Sequence, residues 1–249
     1  MYKKLPYYIF NNIYSKKMYK FFIWAFILIM TFFTVQKYSK INMFEALGLI
    51  VTDYNFLCLC SFEFSFLITK KVCDEYDAND YLKIRFFDKK RLEDEKKKSV
   101  LLCQTIFFCV SIIIILIFLN LLSTNAYSIE YLEMYKMNSL VFCIYSMVKI
   151  YIFTMLISII NVHFMDKIKM WYIYVFNILL YFLILLNSFL SYGKIDFPIS
   201  YFVGNSIVSC QPYTNYYYDI SNYCFHILLI FSIYEIVKRV VKNEVYHNK

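Results

Sequence analysis

Glycine and proline are nearly absent from this chain, with three of each among 249 residues. Because these residues mark most turns and loops, their scarcity excludes a loop-rich or low-complexity protein. Charged residues are also few, at 18%, whereas soluble proteins carry about 25%. Alternation of apolar and polar residues is missing, so a membrane β-barrel is not expected. The sequence instead predicts an all-α protein.

Several motifs of enzyme chemistry are missing as well. The chain has no GxxxxGK[ST], HExxH or GxSxG pattern, so ATP binding, zinc proteolysis and serine hydrolysis are not predicted. Its eight cysteines include no CxxC pair, and His163, His226 and His247 are too scattered for a metal cluster. We therefore expect no enzyme activity in this chain, no cofactor and no metal.

What the chain does contain is apolar segments of membrane-crossing length. A helix needs about 20 apolar residues to cross roughly 30 Å of hydrocarbon, and lipid favours helices because they satisfy their own backbone groups. The sequence predicts a single domain, 1–249, that is a polytopic membrane protein with six transmembrane helices. The predicted spans are 21–35, 47–69, 100–122, 137–162, 171–190 and 223–237.

The basic residues indicate the orientation of these spans. If the N-terminus is cytosolic, 21 of the 26 lysines and arginines lie on the inner side, in 1–20, 70–99, the short loop after 162 and the tail after 237. Cytosolic loops of membrane proteins are enriched in these residues. We therefore expect a multi-pass protein of the cell membrane with both termini in the cytosol and an outer segment at 191–222. The net charge of +8 then reflects orientation and does not indicate nucleic acid.

The N-terminal segment 1–20 is predicted to be a cytosolic amphipathic helix at the membrane interface, a form of contact with lipid. Ile9, Phe10, Ile13 and Tyr14 share one face of this helix, and polar residues occupy the other. The alternative is an ordinary basic flank of the first span.

The inner segment 70–99 mixes ten basic and eight acidic residues, which is typical of a solvated, partly helical surface. Within it, the stretch 81–87 carries apolar residues that need a partner surface. We predict either a docking element for a cytosolic protein or a short interfacial helix that binds only lipid. The residues assigned to this element are Tyr81, Leu82, Ile84, Arg85, Phe86 and Phe87.

Ionisable residues inside spans are costly and indicate function by default. Four occur here, at Asp53, Glu63, Lys149 and Glu235. Asp53 and Glu235 lie near span boundaries, where water is close. Lys149 is the nearest to mid-membrane, and we expect it to pair with Asp53 or Glu63 or to face a polar cavity. A structural ion pair and a substrate contact remain equal alternatives.

Other polar residues suggest how the helices pack. The three glycines are too far apart for GxxxG packing, so asparagines are candidates for hydrogen bonds between helices; they are Asn120, Asn161, Asn177 and Asn187. Cys210 and Cys224 are both predicted on the outer side, and a disulfide between them is an open alternative if that side is oxidising.

Four stretches carry a resemblance to a known family, namely Asn12–Tyr19, Asp53–Leu57, Asp80–Arg91 and Tyr234–Arg239. Together with the six-span layout, they resemble the permease subunits of type-two ATP-binding-cassette (ABC) exporters, especially the small ones of low-GC Gram-positive bacteria. The outer segment 191–222 departs from the family, because it is rich in tyrosine where such permeases often have short re-entrant helices.

The resemblance implies a transport function. A separate cytosolic ABC ATPase would dock beneath two permeases, either two copies of this chain or this chain and a paralogue. The 81–87 element and the N-terminal helix would transmit ATP-driven closure to the spans. The family suggests export of, or immunity to, a hydrophobic or amphipathic peptide such as a bacteriocin. The alternative is an accessory or sensor membrane protein without transport activity.

Overall fold

The computed structural model describes residues 36, 38, 41–78, 89–122, 127–165 and 168–192. Near the C-terminus it describes residues 220–221, 223–225, 227–228, 230–232 and 234–235. At 54–55, 58–59, 89 and 183–192 only the backbone is described. Helices make up most of these residues, which confirms the predicted helical class. The predicted N-terminal helix, the first span and the 81–87 element lie outside the described residues.

Among the described residues, six α-helices, one π-helix and one hairpin follow one another along the chain. The helices are α1 (Met43–Thr52), α2 (Tyr54–Leu57), a π-helix (Cys58–Glu63), α3 (Phe64–Asp77), α4 (Lys89–Leu122), α5 (Ser139–Met165) and α6 (Met170–Tyr192), and the strands are β1 (Tyr131–Leu132) and β2 (Met137–Asn138). The described helical residues between 220 and 235 are called the C-terminal segment below.

Two of the helices are long and apolar enough to cross a membrane, Lys90–Leu122 and Ser139–Met165. At 1.5 Å per residue, the 34 residues of α4 extend over about 50 Å, more than the roughly 30 Å of a hydrocarbon core. The charged first part of α4 therefore projects beyond its apolar part. These helices support a membrane location for the protein.

The predicted second span, 47–69, is not one continuous α-helix. Helix α1 ends at Thr52 because Asp53 adopts an extended backbone conformation, and the Asp53 N–H donates to the Ile50 carbonyl at 3.2 Å. The chain then resumes through α2 and passes into the six-residue π-helix before α3 begins. Hydropathy averaged along the sequence does not reveal such a break, because the residues on both sides of it are apolar.

The predicted inner loop, 70–99, is largely helical at both ends. Helix α3 continues to Asp77, and α4 begins at Lys89. Ion pairs one helical turn apart support both extensions, Lys71 with Glu75 at 3.3 Å and Glu93 with Lys97 at 2.8 Å. Such pairs stabilise helices that leave the apolar core. Only the residues between 78 and 89 remain for the predicted docking element.

Contacts across the bundle fix the relative directions of the helices. The chain through the π-helix and α3 runs parallel to α5, because Ser61 lies beside Thr154 and Ser65 lies beside Ser158. Contact positions run in opposite directions for three helix pairs. They are α3 with α4 (Phe64–Phe107, Tyr76–Ser99), α4 with α5 (Glu93–His163, Phe108–Tyr151) and the π-helix and α3 with α6 (Phe62–Tyr181, Phe66–Tyr174). Successive long helices therefore alternate in direction.

The C-terminal segment continues this alternation. Its Tyr223 contacts Lys149, and its Tyr234 contacts His163, so it runs parallel to α5. Helix α5 thus lies against the parallel α3 and C-terminal segment and the antiparallel α4 and α6, and its inner face forms much of the core. Ile150, Phe153 and Ile157 of that face are fully buried.

A small hairpin lies between α4 and α5, at the opposite end of α4 from its charged start. Tyr131 pairs with Asn138 and Leu132 with Met137, and the turn includes Lys136 at φ 52°. This hairpin was not predicted and is the one β feature among the described residues. It packs on the start of α1 because the Asn42 amide donates to the Ser128 carbonyl at 2.6 Å.

Candidate functional site

A ladder of small polar side chains joins the broken second span to α5. The hydroxyls of Ser61 and Thr154 are 2.6 Å apart, and those of Ser65 and Ser158 are 2.8 Å apart. All four residues are fully buried. Small hydroxyl residues allow close helix approach within a membrane and replace the missing GxxxG packing.

The ladder continues through two of the predicted asparagines. The Asn161 amide nitrogen lies 3.4 Å from the Ser65 hydroxyl, and the Asn177 amide donates to the Asn161 oxygen at 3.2 Å. This bond between α5 and α6 confirms the predicted role of Asn161 and Asn177. Asn120 instead donates to groups close to it in the sequence, the Leu116 carbonyl and the Tyr127 hydroxyl. The side chain of Asn187 lies outside the described residues.

Lys149 is buried to 1% exposure on α5. Its ammonium lies over two tyrosine rings, 5.4 Å from the centroid of Tyr145 and 5.5 Å from that of Tyr223. The Tyr223 hydroxyl also donates to the Lys149 carbonyl at 2.7 Å. Cation–π contacts of this kind are worth about 2 kcal/mol when they are desolvated. Sequence reasoning did not include aromatic partners for this lysine.

The other three ionisable residues of the predicted spans are separated along the bundle. Asp53 is buried at the helix break and accepts a hydrogen bond from Tyr38 at 3.3 Å. Glu63 ends the π-helix, is half-buried and accepts from the Tyr174 hydroxyl of α6 at 3.4 Å. The structure therefore joins Glu63 to α6 and not to Lys149. A pairing of Lys149 with Asp53 remains a prediction.

Glu235 is half-buried in the C-terminal segment, next to Tyr234. Nearby in sequence, Cys224 is exposed, while Cys210 lies outside the described residues, so their disulfide stays an alternative. Within the described part of the chain, no three His, Cys, Asp or Glu side chains lie together as a metal site would require.

The C-terminal end of α3 and the N-terminal end of α4 are joined by a second polar cluster, which sequence reasoning missed. It is called the inner cluster below because the sequence predicts this end to be cytosolic. The Tyr76 hydroxyl lies 2.9 Å from the Ser99 hydroxyl, and Lys96 pairs with Asp77 at 3.0 Å. Tyr76 is fully buried and Lys96 is 2% exposed. Burial raises the pKa of the Tyr76 hydroxyl to about 12, although the bond to Ser99 acts in the opposite direction. The neutral tyrosine is therefore retained over the physiological pH range.

Glu93 extends this inner cluster to α5. Its carboxylate lies 2.7 Å from Nδ1 of the buried His163 and 2.8 Å from Nζ of Lys97. Burial is the largest single influence on Glu93 and would raise its pKa, but hydrogen bonds and charge from Lys97 and His163 together outweigh it and lower the pKa to about 2. The carboxylate is thus ionised and joins α4 to α5. The spacing of Glu93 and Lys97 by four residues was the sequence signal that could have revealed this role.

An apolar cavity of about 330 Å³ lies between α5, α6 and the C-terminal segment. Its wall is almost wholly hydrocarbon and aromatic, and Asn161 supplies its amide side chain. The remaining lining residues are Ile157, Ile160, Phe164, Ile168, Tyr172, Ile173, Phe176, Leu180, Ile230 and Tyr234. The cavity is partly open, so the arrangement can hold an apolar ligand.

Two groups of predicted functional residues lie outside the described residues. They are the interfacial-helix residues Ile9, Phe10, Ile13 and Tyr14 and the docking residues Tyr81, Leu82, Ile84, Arg85, Phe86 and Phe87. The described helices that flank the docking residues are nevertheless held in place by the inner cluster. Comparison with known proteins adds no relative, since no protein-family model, curated protein or solved structure matches the chain.

Proposed function

We propose that this chain is the six-span permease subunit of an ABC exporter, with both termini cytosolic and a separate ATPase as its energy source. A second copy or a paralogue would complete the permease pair. The asymmetric distribution of lysine and arginine supports the orientation. The alternating directions of the described helices support a multi-pass arrangement. Because α3, α5 and the C-terminal segment are parallel, the chain must return in the opposite direction between each of them and the next.

The inner cluster is the observation that carries this proposal. A permease without its own ATP-binding motif must receive motion from a partner through an element on its cytosolic side. The 81–87 element lies between two helices that extend beyond the apolar core, α3 to Asp77 and α4 from Lys89. Tyr76 with Ser99 and Lys96 with Asp77 join those helices next to the element.

This connection would transmit motion efficiently. Buried polar contacts and close packing resist local deformation, so displacement of the element would move α3 and α4 together as rigid units. Glu93 with His163 carries the same displacement to α5. The broken second span, with a π-helix that ends at the half-buried Glu63, supplies a place where that motion can change helix geometry, because π-helical turns occur frequently at functional sites.

The cargo that best suits this bundle is a hydrophobic or amphipathic peptide. Exposed apolar side chains line the outer surfaces of α4, α5 and α6, including Ile113, Val148 and Leu179. A cargo that moves along the interface between two permeases would meet these surfaces. The proposal assigns no catalytic residue to this chain, and ATP hydrolysis belongs to the partner subunit.

Photo-crosslinking in living cells tests the ATPase contact. A photoreactive amino acid replaces Ile84 in the docking element, and the matched control carries it at Ile129, which is 65% exposed beside the hairpin at the opposite end. We expect the first variant to capture a protein that contains a phosphate-binding loop and hydrolyses ATP, and the control to capture none. Capture of no such ATPase at Ile84 would contradict the proposal.

A second measurement separates transport from an accessory role. Deletion of 81–87 should abolish ATP-dependent peptide efflux while the protein remains in the membrane at its normal level. If capture at Ile84 instead yields only a signalling protein and efflux is unaffected by the deletion, the accessory or sensor function replaces the permease assignment.

A further inference from the structure

We propose that the cavity between α5, α6 and the C-terminal segment holds an acyl chain of an anionic phospholipid from the cytosolic leaflet, whose phosphate lies at Lys169. The inference rests on the membrane location and the orientation given in the proposed function, but it does not depend on transport or on an ATPase partner. It concerns a bound lipid and not the exported cargo.

The chemistry of the cavity wall selects a hydrocarbon occupant. Its lining is mostly aliphatic and aromatic and includes Ile157, Ile173 and Leu180. Its volume of about 330 Å³ falls at the lower end of the range of roughly 300–1,000 Å³ for small-ligand pockets. The amide of Asn161 is already engaged by Ser65 and Asn177. A polar cargo group would find few partners there, whereas an acyl chain needs none.

The cavity begins at the level expected for lipid headgroups. Its lining includes Ile168, in the connection between α5 and α6, and Tyr172, in the first turn of α6. Tyr172 is 61% exposed and its neighbour Trp171 is 67% exposed. Exposed Trp and Tyr residues favour the interface between hydrocarbon and water. A lipid whose headgroup lies at this interface could therefore extend its chain along α6 into the cavity.

Charge complementarity selects an anionic headgroup. Lys169 is exposed and directly follows the cavity-lining Ile168. The sequence adds Lys167 and one acid, Asp166, so this connection carries a net positive charge. Basic groups between transmembrane helices on the cytosolic side attract anionic lipid headgroups. A zwitterionic lipid would also present its own cationic group to Lys169 and would gain less.

Quenching of tryptophan fluorescence by brominated lipid tests the site. The chain has two tryptophans, so a Trp24→Phe background leaves Trp171 beside the cavity as the reporter. The full-length protein is reconstituted in phosphatidylcholine vesicles that contain an equal minor fraction of either brominated phosphatidylglycerol or brominated phosphatidylcholine. We expect about fivefold enrichment of the anionic lipid near Trp171 in the quenching analysis.

Matched variants test whether that enrichment depends on Lys169, where the headgroup would bind, and on the cavity, where the acyl chain would lie. Lys169→Ala should remove the preference for the anionic lipid, while Lys98→Ala, a change at another exposed inner lysine, should preserve it. Leu180→Phe narrows the cavity and should reduce quenching by the anionic lipid, while Ile144→Phe on the exposed face of α5 should not. If Leu180→Phe does not fold, Ile160→Phe provides the same test.

Three results would overturn the proposal. The first is equal quenching by the two lipids in the Trp24→Phe protein, which would show that the site does not select an anionic headgroup. The second is a lipid preference that Lys169→Ala leaves unchanged. The third is quenching that both cavity-narrowing variants leave unchanged. None of these measurements involves ATP, so their failure leaves the permease proposal to its own tests.

Discussion

At the scale of single residues, the buried ammonium of Lys149 is the most demanding charge in the described structure. Placing a charge in a low-dielectric interior costs several kcal/mol unless its surroundings compensate. The faces of Tyr145 and Tyr223 provide part of that compensation. These rings belong to α5 and the C-terminal segment, so the lysine also joins those two elements.

We predict that charge reversal at this position is far more damaging than charge removal. Lys149→Glu places a carboxylate against two electron-rich ring faces and should destabilise the protein by about 3–5 kcal/mol. Lys149→Met keeps the length and removes the cation–π attraction, about 2 kcal/mol, together with the cost of burying the charge, so its loss should be smaller. Unfolding of the purified protein in mixed detergent micelles measures both changes, and equal losses for the two variants would contradict this assignment.

The Glu93 carboxylate provides a pH-dependent contribution to stability. Because its pKa falls from 4.5 to about 2 in the folded protein, its stabilising contribution is present above pH 4.5 and is lost as the pH falls toward 2. Glu93→Gln should therefore cost about 1.5–3 kcal/mol at pH 7 and should flatten the loss of stability between pH 4.5 and 2.

Thermal unfolding at pH 7 and at pH 3 checks this prediction. Glu133→Gln, at an exposed position beside the hairpin, is the matched control and should behave like the parent protein. If Glu93→Gln loses as much stability between the two pH values as the parent does, the carboxylate does not carry the proposed link to His163.

At the scale of elements, close packing of α1 against α5 depends on a glycine. A Cβ atom added at Gly48 would lie 2.6 Å from Cε1 of Phe142, and Phe142 cannot move easily because it is buried and stacks on Tyr135 at 4.4 Å. Overpacking in such a site costs about 1–3 kcal/mol.

We therefore predict that Gly48→Ala destabilises the protein by about 1–3 kcal/mol and that Phe142→Leu in the same chain restores part of the loss. The double-mutant cycle from detergent unfolding measures the coupling. Additive losses from the two changes would show that the ring is not the obstacle.

The elements also show what sequence alone could and could not predict. The apolar runs 100–122, 137–162 and 171–190 each lie within or nearly coincide with a described helix, because hydrophobic length is a local property of the sequence. The break at Asp53 was not predicted, since the residues on both sides of it are apolar and averaged hydropathy does not reveal a local change of backbone conformation. The charged ends of α3 and α4 were predicted only as a partly helical loop, although the spacing of Lys71 and Glu75 indicated helix.

Like the fold, the candidate site could be predicted from the sequence only in part. The importance of Asn161, Asn177 and Lys149 followed from their polarity within apolar segments. Their partners did not, because Ser65 and Tyr223 are far from them in sequence and become neighbours only through the packing of the bundle. The inner cluster was missed for the same reason, since Tyr76 and His163 are ordinary residues until α3, α4 and α5 converge.

At the scale of the whole molecule, two independent features agree. The basic residues lie at one end of the predicted spans, and the described helices alternate in direction through their contacts. The inner cluster lies at the charged ends of α3 and α4, and the hairpin follows the opposite end of α4. A membrane protein with this arrangement exposes the two ends to different compartments.

Compartment-specific labelling of single cysteines tests that arrangement most directly. In a background without the native cysteines, Asp94→Cys marks the exposed start of α4, and Ile129→Cys marks the segment beside the hairpin. We predict that a membrane-impermeant maleimide labels Ile129→Cys in intact cells and labels Asp94→Cys only after the membrane is permeabilised. Labelling of Asp94→Cys from outside intact cells would contradict the account.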